Sequence, residues 1–170
     1  MNNSESTAEG FKWEAQATVH KWDRSEDYDA GLPFNEELDA GNNILLNAGI
    51  TRLLNLLTGA GGTAFNATNS RIGVGDSTTA AVASQTDLQA VTNKWYQLVT
   101  GAPGVSAQTV TFIAAFGTAD GNFAWQEWGI DNGLSSTAVA TAPMLNRKVV
   151  SMGTKSSGST WTLTVTITIS

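Results

Sequence analysis

The chain contains no cysteine, which excludes disulfide scaffolds, thiol catalysis and thiolate metal sites. It has a single histidine, His20, which excludes zinc centres built from several imidazoles. Long apolar runs are absent too. No stretch approaches the roughly 18 consecutive apolar residues that a membrane span requires. The first residues, MNNSEST, lack a basic segment followed by an apolar run, so no signal peptide is expected and the chain reads as one made in a cytoplasm. Charge is scarce at 14% of residues, and its balance is acidic, with a net charge of −6. A free nucleic-acid binder carries the opposite sign. What is present is 170 residues with 41% hydrophobic content, enough for one folded domain with a proper core.

The charge is unevenly spread. Residues 1–41 hold ten acidic side chains against three basic ones, whereas residues 42–170 hold five against six. The acidity therefore belongs to the N-terminal quarter, and the rest is nearly neutral. This division suggests an acidic N-terminal arm (1–41) carrying one strand, followed by a body (42–170). The arm also carries Phe11, Trp13, Trp22, Tyr28 and Phe34. Aromatic rings interleaved with acids need somewhere to bury, so these five residues are the candidate partner interface.

Hydrophobic periodicity gives the fold class. Trp13, Ala15, Ala17 and Val19 alternate with polar residues, the period of a half-buried strand. Residues 23–41, with Gly31, Pro33 and Gly41, read as loop or extended arm. The period then changes. Leu46, Ile50, Leu53, Leu54 and Leu57 mark one face of a helix at about 43–58, with Asn42 or Asn43 as its cap and Gly59 as its stop. That apolar face requires a surface to lie on. Ser84-Gln85-Thr86-Asp87 resembles a capping box, which predicts a short helix at 85–91.

Strands are expected at 71–75, 94–99, 109–116, 122–130 and 144–152. Strict alternation in the fourth of these places Phe123 and Trp125 on one face and Trp128 and Ile130 on the other. Asp120-Gly121 reads as the turn between the third and fourth. The last eleven residues alternate most cleanly, with Trp161, Leu163, Val165, Ile167 and Ile169 set against Thr160 to Thr168 and Ser170. Such an uncharged strand must be internal in a sheet or covered by another chain. The class is mainly β: an antiparallel β-sandwich or jelly-roll-like body with one amphipathic helix and an extended N-terminal arm.

Little of this points to a reaction. His20 lies on the polar face of the first strand, and no G-x-S-x-G context supports a hydrolase triad. Gly59–Gly62 follows a helix and lacks a Lys-Ser/Thr continuation, so it does not form a phosphate loop. Asp76 stands alone where a calcium cage needs several oxygens, and reads as a turn residue. Asp120, Glu127 and Asp131 could pair for acid/base work, but two of them sit in turn signals, and structural roles fit them better. Trp125 and Trp161 read as core, whereas Trp95 and Trp128 fit either core or surface. No catalytic, cofactor-binding or metal-binding residue is assigned.

Four segments carry a resemblance: NNILLNAGITRLLNLLTG (42–59), RIGVGDSTTA (71–80), FAWQEWGIDNG (123–133) and LNRKVVSMGTKSSGSTWTLTVTITIS (145–170). Together they resemble small virion structural proteins of tailed bacteriophages, most of all capsid decoration (cement) proteins. The resemblance implies a non-enzymatic protein on the outside of the head lattice. Its partners would be the major capsid protein and further copies of itself, as a homotrimer, with no role for nucleic acid or membrane. Tail, baseplate and fibre components share such sandwich folds. A tail or fibre component that contacts a host surface glycan is therefore the alternative.

Overall fold

A computed structural model describes residues 12–170. The described residues form ten strands and two helices: β1 (Trp13–Trp22), α1 (Ser25–Asp29), β2 (Glu36–Asn42), β3 (Ile44–Leu45), α2 (Asn47–Thr58), β4 (Arg71–Gly75), β5 (Lys94–Leu98), β6 (Gly104–Ser106), β7 (Thr109–Phe116), β8 (Ala124–Asp131), β9 (Asn146–Thr154) and β10 (Thr160–Ile169). They build two five-stranded sheets, ordered β2-β1-β10-β7-β6 and β3-β9-β8-β4-β5. Every strand pairing is antiparallel. The architecture is the mainly β, two-sheet sandwich that the alternation predicts.

The first sheet follows the period-two pattern closely. β10 is the middle strand, and its inner side is apolar: Val165 faces Ala17 across one ladder and Phe112 across the other. Ala15, Ala17 and Val19, Leu163 and Val165, and Ala114 and Phe116 are all fully buried. The charge-free C-terminal strand is internal, between β1 and β7, which removes its edge from solvent. The second sheet contributes Ile72, Val74, Trp125, Trp128, Ile130 and Met152 to the same core.

Several expectations are corrected. The boundary at 41/42 falls inside the sandwich. β1 pairs with β10 over ten positions, and β2 forms the sheet edge beside β1. The acidic stretch from residue 12 onward is thus part of the body rather than an arm standing off it, because its alternating apolar residues are needed on the core face. α2 starts at Asn47, not 43. Ile44–Leu45 instead pair with Asn146–Arg147 as β3, and the Asn43 side chain accepts a hydrogen bond from the Trp13 indole at 3.2 Å. Gly59 does end α2, in the left-handed conformation at φ 68°. A second helical turn, α1, lies in the stretch expected to be irregular.

Residues 85–91 form no helix, since the N–H groups of Gln89 and Ala90 turn to the Glu127 carboxylate. Asp120-Gly121 does connect β7 and β8, but these strands lie in different sheets. The turn is a crossing between layers and not a hairpin. In β8 a bulge between Trp125 and Glu127 shifts the register. Strict alternation would have placed Trp125 and Trp128 on opposite faces; the bulge turns both into the core, each with no exposed surface.

Candidate interaction surfaces

Of the five aromatic residues expected to form one interface, the four that are described occupy two places. Phe11 lies outside the described residues. Trp13 sits at one end of β1, opposite Ile169, and Trp22 sits at the other end, opposite Thr160. They stand at opposite ends of the ten-residue strand, about 30 Å apart at roughly 3.3 Å per residue.

Trp22, Tyr28 and Phe34 gather at the far end, with His20. Trp22 meets Tyr28 edge-on at 5.1 Å and Phe34 at 5.9 Å, and His20 stacks flat on Phe34 at 4.2 Å. The Trp22 indole donates to the Leu32 carbonyl at 2.8 Å, and the His20 Nε2 lies 3.0 Å from Glu37. These contacts hold the 23–35 loop against the sheet. Leu32 and Phe34 remain 51% and 40% exposed, while the nearby carboxylates of Glu26 and Glu36 pair with Arg24 and Lys21.

Trp13 belongs to a different surface. α2 contributes only Leu53 to the main core and a buried Gly49. Gly49 allows the helix to touch the Leu145 carbonyl, which a Cβ would meet at 2.2 Å. Leu46, just before the helix, is fully buried with Leu88, Tyr96 and Met144. The rest of the apolar stripe does not find the sheet it was expected to cover. Ile50, Leu54 and Leu57 are 41%, 54% and 82% exposed. A hollow of about 370 Å³ with wholly apolar walls opens between Trp13, Leu45, Ile50, Leu53 and Leu54. A second hollow shares Trp13 and Leu53 with the first and is walled further by Phe65, Val105 and Ile169. Val105, on the short edge strand β6, is 77% exposed. This end of the sandwich is one continuous apolar patch, of the kind that marks an interaction site.

The outward face of the first sheet is polar and uncharged over most of its area. Thr109 and Thr111 reach Thr168 and Thr166 at 3.1 and 3.4 Å. A shallow depression there is walled by Glu14, Gln16, Thr18, Thr164, Thr166 and Thr168.

The outward face of the second sheet is closed. Arg71 on β4 and Asp131 on β8 are register partners, joined by two hydrogen bonds of 2.8 and 2.5 Å. Both side chains are fully buried. Glu127 and Arg147 form a second fully buried pair at 2.6 Å. Each pair also fastens a loop. Glu127 accepts the N–H groups of Gln89 and Ala90, and Arg147 donates to Gln85 and the Thr79 carbonyl, which ties down residues 76–93. Arg71 donates to the Ser135 carbonyl and lies 4.7 Å from the centre of the Tyr96 ring. Glycines make the room: a Cβ at Gly75 would meet Glu127 at 2.5 Å, and one at Gly73 would meet Tyr96 at 2.8 Å. The segments RIGVG, EWGID and NR thus converge on one buried network.

The titration behaviour of this region follows burial. Desolvation pushes the Asp131 carboxyl up, opposed by the Arg71 guanidinium and the Gly133 N–H. The Tyr96 phenol is pushed far up by burial and by its hydrogen bond to the Asp87 carboxylate. Outside the network, Lys155 is lowered to about 8 by burial, with Asp120 pulling it back up. Its ammonium donates to the Gly117 carbonyl at 2.6 Å and to Asn122 at 2.9 Å.

The residues weighed for chemistry are therefore accounted for by structure. Asp120 accepts the Gly117 N–H in the turn. Asp76 pairs its backbone N–H and its carboxylate with Asn93 across a loop. The carboxylates of Glu127 and Asp131 are engaged with arginines beneath loops. Among the described residues, no group of three or more His, Asp or Glu side chains could hold a metal ion, and no helix is long and apolar enough to cross a membrane. Sequence reasoning missed the exposed helix stripe. No local signal marks it, because the same periodic pattern describes a stripe that is covered and one that is not. Comparison with protein families, curated proteins and solved structures finds no match for this chain.

Proposed function

We propose that the protein is a structural component of a tailed-phage virion, a decoration protein that binds the outside of the head lattice and bridges neighbouring capsid subunits. The apolar end of the sandwich is the single observation that carries the reading. An adhesive module needs a rigid body and one desolvatable face. Here the body is a fully packed sandwich whose loops are fastened by buried ion pairs, and the face is the patch around α2 and β6. The sequence resemblance supplies the lattice as partner, and a homotrimer as the assembly that presents the face in several copies. Many copies held together gain affinity through effective concentration.

The test is co-sedimentation with capsid shells. Leu57 and Val105 project from the patch at 82% and 77% exposure, so Leu57→Glu and Val105→Glu should leave the fold intact by circular dichroism. A charge at the centre of a desolvated interface costs about 2–4 kcal/mol, so each should weaken lattice binding by at least tenfold. Binding equal to wild type by both variants would overturn docking through this end. Electron microscopy that places the chain on the tail would overturn the head assignment.

A tail or fibre component contacting a host glycan is the second reading. The threonine-walled depression on the first sheet supports it, because hydroxyls in a row can exchange hydrogen bonds with sugars. Chemical-shift changes at Thr164 and Thr166 on titration with host surface glycans would favour it over the lattice reading.

A further inference from the structure

We infer that the cup between α2 and the loop 132–143 binds an acidic sugar, with Arg52 holding its carboxylate and Asn132 accepting a ring hydroxyl. The cup has a volume of about 400 Å³, and its polar walls are Arg52, Thr63, Asn132, Ser135 and Thr141. The chain after α2 closes on Arg52 at Gly62, where a Cβ would lie 3.2 Å from the guanidinium Nη1. That nitrogen donates to the Thr63 carbonyl at 3.3 Å. The Asn132 Nδ2 donates to the same carbonyl at 2.5 Å, so the two side chains stand side by side on one acceptor. Gly133 keeps the opposite wall open, since a Cβ there would meet the Thr141 hydroxyl at 2.2 Å.

Two groups in the cup have bonding capacity left over. Arg24, Arg71 and Arg147 each pair with a carboxylate, whereas Arg52 pairs with none among the described residues. Its planar fork matches a carboxylate. Asn132 is 2% exposed, and its bond to Thr63 fixes the amide so that Oδ1 is the free end. That buried oxygen has no hydrogen-bond partner among the described residues. An acceptor left so is costly, and only a donor relieves it. The ligand must therefore offer a negative charge to one side chain and an O–H or N–H to its neighbour. A hexuronate carries a carboxylate and hydroxyls on one ring, and the hydroxyls of Thr63, Ser135 and Thr141 suit the remainder of that ring. A peptide C-terminus brings a carboxylate and one N–H, and leaves those wall hydroxyls unanswered. Leu134 and Pro143 at the rim suit the ring's C–H face. The cup shares no wall residue with the apolar hollows or with the threonine depression, so the inference is independent of both functional readings above.

The experiment follows backbone amide shifts of the full chain by NMR during titration with methyl glucuronoside. Two comparison probes are methyl glucoside, which lacks the carboxylate, and cyclohexanecarboxylate, which lacks the hydroxyls. The expected result is saturable shifts at Asn132, Gly133 and Thr141 with the glucuronoside, and binding at least about tenfold weaker for each comparison probe. Arg52→Gln should weaken glucuronoside binding by at least about tenfold at unchanged circular dichroism. Arg52→Lys keeps the charge without the fork and should fall between Arg52→Gln and wild type. No saturable shift at the three amides, or undiminished binding by Arg52→Gln, would overturn the site. Shifts confined to Thr164 and Thr166 would move the sugar to the threonine depression and overturn it equally. Cyclohexanecarboxylate, or a short peptide with a free C-terminus, binding as tightly as the glucuronoside would overturn the sugar as ligand.

Discussion

The sheet β2-β1-β10-β7-β6 turns threonine hydroxyls outward to water, whereas β3-β9-β8-β4-β5 turns two ion pairs outward and roofs them over with loops. Both sheets turn apolar residues inward, and the positions discussed on their outer faces are polar. The outward positions differ in what they ask of the rest of the chain. Threonine in water needs nothing further, so the first sheet's outer face is free to vary. A buried carboxylate and guanidinium need each other and several additional hydrogen bonds. The second sheet's outer face therefore dictates where residues 76–93 and 132–145 must run. One face is a surface and the other is an interior made of charge.

The sharpest way to break the contrast is Glu127→Ala. It strands Arg147 and leaves the N–H groups of Gln89 and Ala90 without their acceptor. Loss of one partner of a buried pair costs about 3–5 kcal/mol, to be read from urea denaturation. Hydrogen exchange should show residues 76–93 opening first. Retained stability would mean the pair does not organise the loop.

Gly129→Ala is expected next, at about 1–3 kcal/mol. Its new methyl would lie 2.3 Å from the Asn146 carbonyl, and the same denaturation experiment reads it.

A smaller effect concerns Lys155. Because its ammonium is lowered to about 8, folded and unfolded chains both hold that proton below pH 8. Between pH 8 and the ordinary lysine range, the unfolded chain binds it more tightly. Stability should therefore rise with pH across that window, by on the order of 1 kcal/mol. Lys155→Met should remove this rise, and parallel slopes for the two proteins would refute the assignment.

Thr166→Val, on the wet face, should change stability by less than about 0.5 kcal/mol. A loss comparable to that of Glu127→Ala would show that the threonine face is structurally demanding after all.

Part of this molecule was legible in advance. Alternation in 12–22 and 160–170 marked two internal strands of the first sheet, and the pattern at 46–57 marked α2 to within a few residues. Gly59 marked its end for a reason local to the backbone. The candidate interface was legible only in pieces. Trp13 and Trp22 belong to one strand, and nothing local tells that its two ends serve different surfaces. The start of α2 was misplaced because Asn43 answers to Trp13, thirty residues away, rather than to its own helix. The expected helix at 85–91 failed for the same kind of reason, since a carboxylate from β8 takes its N–H groups.

Composition and periodicity by themselves determined that the chain would be a β-sandwich, because backbone pleat and helix pitch impose their periods on any sequence that buries an apolar face. Only the tertiary structure decided that a bulge in β8 turns Trp125 and Trp128 into the same core, that Arg71 meets Asp131 across sixty residues of sequence, and that three of the five stripe residues, Ile50, Leu54 and Leu57, stay exposed. Those outcomes depend on which strands become neighbours. Strand pairing between distant segments follows from the summed burial of the whole chain, a quantity that no single window of sequence contains.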